Sequence, residues 1–342
     1  MKSLVWLGPE RMTVEERPEP EAEPGGVVLR VGAAGICGSE IEGYLGRMGN
    51  RTPPLVMGHE FAGTVVSVGE GVSDGWTGRR VTVNPLLSCG RCRLCRAGMD
   101  NLCPGRTMVG INHPGGFAEF VAAPESTLHE VPDSVSIRDA ALAEPFANGV
   151  HVARLGLSRG MAETAVVFGG GTIGLMCLQA LALFGVRDVS LVELHEGRRQ
   201  NAKAFGASET FDSAEKAEEY LAARTDGLGA DLVVDAVGAE ATRRLGAGIS
   251  RPGGTLVCIG LHDDETTLGF HDAIRRQVCV QGSYAYTQDD FSQAVEWLSS
   301  GEAGLGSTPV PLPLESGPGA FADLVKGPSD EVKVFLAEPE VK

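Results

Sequence analysis

The stretch TAVVFGGGTIGLMCLQALALFG, residues 164–185, limits what this chain can fold into more than any other. A run of β-branched and apolar residues ends in three consecutive glycines, and a continuous apolar segment of helical length follows. That order reads as buried strand, tight turn and buried helix. The same alternation continues downstream, with strands predicted at VSLVEL, DLVVDAVG, TLVCIG and VCVQGS and helical stretches between them. Strands that alternate with helices pack as a parallel sheet covered on both faces. The first ~150 residues are different. Short β-branched runs such as GGVVLRVGAAGIC and EFAGTVVSVG, rich in Gly and Pro, predict a compact β-rich unit. IRDAALAEPFANGVHVARLG has helical spacing and marks the change of texture. Past the alternating region come a helix at QDDFSQAVEWLSSG and a strand at EVKVFLAE that could return to the first domain. With 342 residues the chain is long enough for two domains. We expect one over residues 1–151 and 287–342, and a parallel-sheet domain over 152–286.

Within the first strand–turn–helix unit, Gly169, Gly171 and Gly174 form G-x-G-x-x-G. The context of strand before and helix after gives the motif its meaning. Glycines let the backbone approach a pyrophosphate, and Thr172 and Ile173 open a helix whose free N–H groups face that anion. Glu193 ends the next predicted strand, 19 residues after Gly174. An acid there hydrogen-bonds a ribose diol and repels a 2′-phosphate, which favours NAD. Arg198 and Arg199 follow closely and leave NADP open.

Four of the eight cysteines crowd into CGRCRLCRAGMDNLC, residues 89–103, spaced C-x2-C-x2-C-x7-C. No apolar run is long enough to span a bilayer or to serve as a secretory leader, so a cytoplasmic protein is expected. In that compartment thiols stay reduced, and Cys89, Cys92, Cys95 and Cys103 read as the closed shell of a structural zinc. A second set is dispersed: Cys37 in GICGSE, His59 and Glu60 in VMGHEFAG, and Glu144 in ALAEPF. Residue types alone leave this set open between a zinc site and an ordinary buried Cys, a satisfied His and surface acids. The formal charge of −16, from 45 acids and 29 bases, opposes non-specific nucleic-acid binding.

Taken in order, GICGSE, PPLVMGHEFAGTVVSVGEGV, the four-cysteine lobe, GGFAEF, ALAEP, GGGTIG and GSYAY resemble the zinc-containing medium-chain dehydrogenase/reductase family. Within it the likeness is to the sorbitol (polyol) dehydrogenase-like branch, and it covers essentially the whole chain. The resemblance implies an α/β architecture: a GroES-like catalytic domain carrying the zinc lobe and a Rossmann domain with a doubly wound parallel sheet. It implies two zinc ions per chain and NAD. Cys37 and His59 would bind the catalytic zinc, with Glu60 and Glu144 completing the shell, one directly and one directly or through water. Zinc with an open position is a Lewis acid for a substrate hydroxyl, and the cofactor takes the hydride. Ser39 matches the family's proton-relay hydroxyl. Where many relatives carry a relay histidine this chain has Glu42, so either Glu42 or water receives the proton, unless Glu42 is an exposed loop acid.

Further positions follow from the same likeness. Val237, Leu261 and Ser283 fall at strand ends where relatives contact nicotinamide. Lys333 matches a residue that touches the cofactor phosphate, with a solvated lysine as the alternative. Tyr44, Phe117, Phe146 and Asn148 align with the substrate pocket. Arg47 and Arg51 lie on a loop expected to border it, where they would receive a phosphate or carboxylate or else be solvated. The substrate implied is a small-molecule secondary alcohol or its ketone: a polyol, sugar or cyclitol. A threonine-type amino-alcohol dehydrogenase and a non-catalytic NAD-binding protein are the alternatives. A homodimer or homotetramer is expected, and TLVCIGLHDDETTLGF could supply its sheet edge.

Overall fold

A computed structural model describes residues 1–306, 309–327 and 329–338. The end of the expected catalytic domain, residues 339–342, lies outside the described residues. The chain divides into two compact units, Met1–Glu144 with Thr287–Lys342, and Pro145–Tyr286. It leaves the first unit after Glu144, in the opening turn of helix Ala143–Leu157, and not after residue 151. The helical stretch IRDAALAEPFANGVHVARLG is in fact two helices, Ile137–Ala140 and Ala143–Leu157.

The first unit is built on antiparallel strands. Gly26–Gly35 is its central member. It pairs with Glu60–Val68, with Phe120–Pro124 and with the short strand Phe335–Leu336, by which the end of the chain returns to this unit. Alternation along GVVLRVGAAG sends Val27, Leu29 and Val31 inward while Arg30 stays exposed. A second sheet, Arg11–Glu16 with Lys2–Gly8 and Leu55–Val56, carries Leu4 and Trp6 into the same core. Phe61, Phe117, Phe321 and Leu336 fill that core at about 1.5–3 kcal/mol for each large apolar side chain.

The second unit has a six-stranded parallel sheet. Its strands run Thr210–Phe211, Asp188–Val192, Thr164–Phe168, Ala230–Asp235, Ser250–Cys258 and Cys279–Gly282 across the sheet. In chain order this is 3-2-1-4-5-6, the doubly wound Rossmann order, whose direction reverses between Thr164–Phe168 and Ala230–Asp235. Helix Thr172–Leu183 is apolar on nearly every side and buried accordingly. Arg276 closes the end of helix Glu240–Ile249, donating to the carbonyls of Ala247 (2.8 Å), Gly248 (3.2 Å) and Ser250 (2.7 Å). The strand inside TLVCIGLHDDETTLGF is not the sheet edge. Ser250–Cys258 is paired on both sides, and Cys279–Gly282 is outermost. No helix among the described residues is long and apolar enough to cross a membrane.

Asp231 ties three segments of this unit together. Its carboxylate accepts from the backbone N–H of Glu163 (2.9 Å) and Thr164 (3.0 Å) and from Arg251 Nε (2.5 Å). Burial pushes its pKa up, but Arg251 and these N–H groups outweigh it and hold the group below its ordinary value. A carboxyl depressed on folding stabilises the native state above its unfolded pKa and loses that contribution as pH falls through the folded one. Asp231→Asn is therefore expected to lower the melting temperature at pH 7. The gap to wild type should close as pH falls below about 3.9, which a pH series of thermal melts will show.

Candidate active site

The pairing of Gly26–Gly35 with Glu60–Val68 sets Gly35 opposite Glu60. The residues just beyond, Cys37 past the end of one strand and His59 before the start of the other, are thereby brought together. Donor atoms of Cys37, His59 and Glu60 lie within 4.8 Å of one another. His59 and Glu60 are buried, and Cys37 is half-buried. Glu60 forms an ion pair with the buried Lys333. The pair fits only because residue 35 is glycine: a Cβ there would stand 2.4 Å from Glu60 Oε2 and 2.7 Å from Lys333 Cε. Lys333 is thus neither solvated nor open to the surface. Glu144 is buried at the start of its helix but is not among the three clustered ligands.

Glu40, which the sequence reading passed over, organises the centre. It is fully buried in the short helix Gly38–Tyr44. Its Oε2 accepts from the Cys37 N–H at 3.0 Å. Its Oε1 accepts from the N–H of Gly58 (2.8 Å) and of His59 (3.1 Å) and lies 2.8 Å from His59 Nδ1. Burial pushes the Glu40 pKa up, but His59, the Cys37 N–H and Arg51 together bring it below its ordinary value. An ionised carboxylate only accepts, so Nδ1 is the donor and the lone pair on Nε2 is left for a metal. Burial alone would lower the His59 pKa, yet Glu40 and Cys37 raise it well above the ordinary value. A field that holds a proton on a buried imidazole favours a cation. Glu60 also keeps a buried oxygen, Oε1, with no hydrogen-bond partner. Sulfur, imidazole and carboxylate are the donor set of catalytic zinc, and these residues fit it.

Cys89, Cys92, Cys95 and Cys103 also lie within 4.8 Å of one another. Sulfur–sulfur separations are 3.4 Å for Cys92–Cys95, 3.9 Å for Cys89–Cys95 and 4.0 Å for Cys92–Cys103. A tetrahedral shell with Zn–S near 2.3 Å needs about 3.8 Å between sulfurs. The Cys89 pKa is pushed down to about 6 by N–H donation from Arg91 and Cys92, while burial raises Cys95 to about 11. Without a metal the four sulfurs cannot all be thiolates. With one they can, and loading releases protons.

In the parallel-sheet unit the glycine motif sits at the strand-order reversal. Gly169 has φ +99°, and a Cβ on Gly174 would fall 1.8 Å from the Gly169 carbonyl oxygen, so helix and turn can close only with glycine. Gly171 caps helix Thr172–Leu183, so Thr172 and Ile173 present its first N–H groups. Glu193 is fixed by the N–H of Gly170 (2.9 Å) and of His195 (2.8 Å). Arg199 is bound to the carbonyls of Glu193 and Leu194 and to Glu196. Arg198 lies over Gly171, its Nη1 4.0 Å from where a Cβ would be. Val237 and Leu261 are exposed beyond the strand ends, and the Ser283 hydroxyl is buried without a partner. An orphan hydroxyl and glycines too close for any side chain fit a dinucleotide along these ends.

The other expected site residues differ in their settings. Tyr44 and Phe117 are core residues: both rings pack on Phe321, and Tyr44 Oη donates to Glu10 O. Phe146 is fully buried and Asn148 half-buried in the helix that opens the second unit. Glu42 is half-buried and paired with the exposed Arg47 at 3.4 Å. Arg51, by contrast, is buried, so it is no solvated loop residue.

The chain is similar to known proteins over most of its length. Residues 23–133 match the alcohol dehydrogenase GroES-like domain, and residues 172–300 match the zinc-binding dehydrogenase domain. A probable D-xylulose reductase A of Aspergillus fumigatus is 32% identical over 88% of this chain and 86% of its own. The chain belongs to the zinc-containing medium-chain dehydrogenase/reductase family. Two solved structures are similar throughout. An alcohol dehydrogenase from Escherichia coli complexed with NADH has a TM-score of 0.90 at 27% identity, covering 98% of this chain and 99% of that one. The 2R,3R-butanediol dehydrogenase from Bacillus subtilis has 0.89 at 28%, covering 99% of each.

The two metal centres should separate experimentally. Purified protein is expected to hold two zinc ions, and Cys92→Ser and Cys37→Ser one each by elemental analysis. Cys92→Ser should also lower the melting temperature markedly, because a structural zinc contributes folding free energy, whereas Cys37→Ser should melt close to wild type.

Proposed function

We propose that this protein interconverts a secondary alcohol of a polyol, sugar or related compound and its ketone, with NAD as hydride carrier. The observation that carries the reading is the clustered Cys37–His59–Glu60 set held by Glu40, together with D-xylulose and butanediol among the substrates named for its relatives. When bound, zinc acidifies a coordinated alcohol and NAD accepts the hydride. The chain's residues do the rest. Cys37 and His59 hold the metal, Glu40 fixes the imidazole, and Glu60 is balanced by Lys333. Glu144 is proposed to approach the same metal. Ser39, whose Oγ lies 3.4 Å from Cys37 Sγ, passes the alcohol proton outward. Glu42 is already paired with Arg47, which favours water as the final acceptor.

Glu193 binds the adenosine ribose, and Gly169 to Gly174 bind the pyrophosphate; Val237, Leu261 and Ser283 face the nicotinamide. Arg199 is committed to two carbonyls, which leaves Glu193 dominant and supports NAD over NADP. Three metal-binding donors gathered within 4.8 Å of one another speak against the non-catalytic alternative, and the polyol relatives speak against the threonine type. Free cysteines throughout suit the reducing cytoplasm.

A panel of polyols, sugars and amino alcohols, each with NAD and with NADP, tests the reading through absorbance at the nicotinamide band. A polyol with NAD is expected to give the highest kcat/KM, and Cys37→Ser to lose at least about 10³-fold, the scale of a catalytic group. Turnover of threonine alone, or of nothing in a two-zinc preparation, would overturn it.

Self-association is proposed through the outer edge Cys279–Gly282, beside the exposed Phe270, Ile274 and Val280. Light scattering should report a dimer or tetramer for wild type, and a smaller species for Val280→Lys.

A further inference from the structure

Arg51 is a buried cation that the reaction scheme above does not use. Only 6% of it is exposed. Its stem lies over Gly43 of helix Gly38–Tyr44, where a Cβ would stand 2.8 Å from Arg51 Cδ and 3.0 Å from its Nε. Glycine at that position opens the slot the guanidinium occupies. Nη1 donates to Asn50 Oδ1 at 3.2 Å, and Nη2 donates to Ser39 Oγ at 3.4 Å. Nε is buried with no hydrogen-bond partner. Burying a guanidinium is costly, and one with two of its five N–H donors bonded needs its charge to serve something nearby. Two groups lie nearby: the buried Glu40 carboxylate, which Arg51 helps to hold below its ordinary pKa, and Ser39, the one of the two that Arg51 hydrogen-bonds, and through Ser39 the sulfur of Cys37 at 3.4 Å.

We propose that Arg51 is a positioning residue for Ser39, fixing the sense of its hydroxyl within the proton path. A hydroxyl has one proton and two lone pairs. Arg51 can only donate, so it claims one lone pair permanently. The Ser39 proton must then point away from Arg51, and in this structure it points to Cys37 Sγ. One lone pair is left to accept the proton of an incoming alcohol. For the transfer the Ser39 O–H turns from Cys37 Sγ to a water; the original Ser39 proton passes to that water as the alcohol proton bonds to Ser39 Oγ, so Ser39 ends neutral. The adjacent positive charge stabilises the negative charge that builds on the oxygen as its own proton departs. This assigns Arg51 a task different from receiving a substrate anion, which its burial and its bond to Ser39 do not suit.

The inference rests on the relay role proposed for Ser39, and the test keeps the two apart. Ser39→Ala, Arg51→Met, Arg51→Lys and the double variant Ser39→Ala/Arg51→Met are compared with wild type, each loaded with zinc. Melting temperature and zinc content are measured first, and both should stay near wild type in every variant. Arg51→Met is expected to lower kcat on the best alcohol by about 10–100-fold, the size of a charge-assisted hydrogen bond, with KM for NAD unchanged. Arg51→Lys should recover part of the loss. The decisive result is non-additivity: in the Ser39→Ala background, Arg51→Met should cost less than about twofold. Additive losses, or a loss confined to KM for acidic substrates, would overturn the inference while leaving the dehydrogenase reading intact. If Ser39→Ala itself left kcat unchanged, the relay would fall, and Arg51's role with it.

Discussion

The register of two strands governs the whole metal centre. Gly35 faces Glu60 across the antiparallel pair, and everything reactive is counted from that point. Two residues beyond Gly35 stands Cys37, and one before Glu60 stands His59. A slip of one residue would turn Glu60 to the opposite face of the sheet and separate the ligands. The same position has a steric condition. Because Glu60 and Lys333 pass over residue 35, any side chain there would collide with both. The strand that closes the chain, Phe335–Leu336, pairs with this same stretch and so delivers Lys333 to the spot. One ladder thus fixes ligand spacing, the counter-ion and the return of the chain.

Charge explains why the centre holds together when its groups are so poorly solvated. Cys37 as a ligand thiolate, Glu40 and Glu60 are anions at or near the buried centre, and Arg51 and Lys333 are cations beside them. A divalent cation would overbalance that set by one, and the buried Glu144 is the group of the right sign to join it. No pair among these would survive burial alone, since desolvation rivals the attraction of a single ion pair. They persist as a network, with Glu40 accepting from three N–H groups of the backbone as well as facing the imidazole.

What the sequence made legible was local. The glycine motif, its strand and its helix lie within one short stretch, and their spacing alone dictates the turn. The four-cysteine lobe is equally compact. What it obscured was long-range or non-periodic. Glu40 stands three residues after Cys37, the interval at which a glutamate reaches back to the N-cap N–H of a helix. That signal was present, but cysteine in place of serine at the cap concealed it. Arg51 sits in an irregular loop, where no periodicity reports burial; Gly43, which makes room for it, reads as one more glycine. The packing of Tyr44 and Phe117 on Phe321 was hidden too, because that ring arrives from the far end of the chain. The sheet edge was misplaced by one strand because TLVCIG and VCVQGS have the same apolar texture, and only pairing distinguishes an inner strand from an outer one.

The two metal centres answer the same problem in opposite ways. In the lobe, four sulfurs converge while the arginines interleaved with them, Arg91, Arg93 and Arg96, are exposed, and one thiol is driven toward the thiolate and another away from it. Such a cluster is relieved only by a cation that all four share, which makes the ion a fixed part of the fold. In the Cys37 centre, Lys333 and Arg51 already answer much of the negative charge from outside the ligand set. The ligands can then be held in place before a metal arrives, and the metal need not be wrapped by every donor in reach. A centre balanced from behind can leave one side of its ion open. That is the property a hydroxyl-binding site requires, and a closed four-thiolate shell cannot have it.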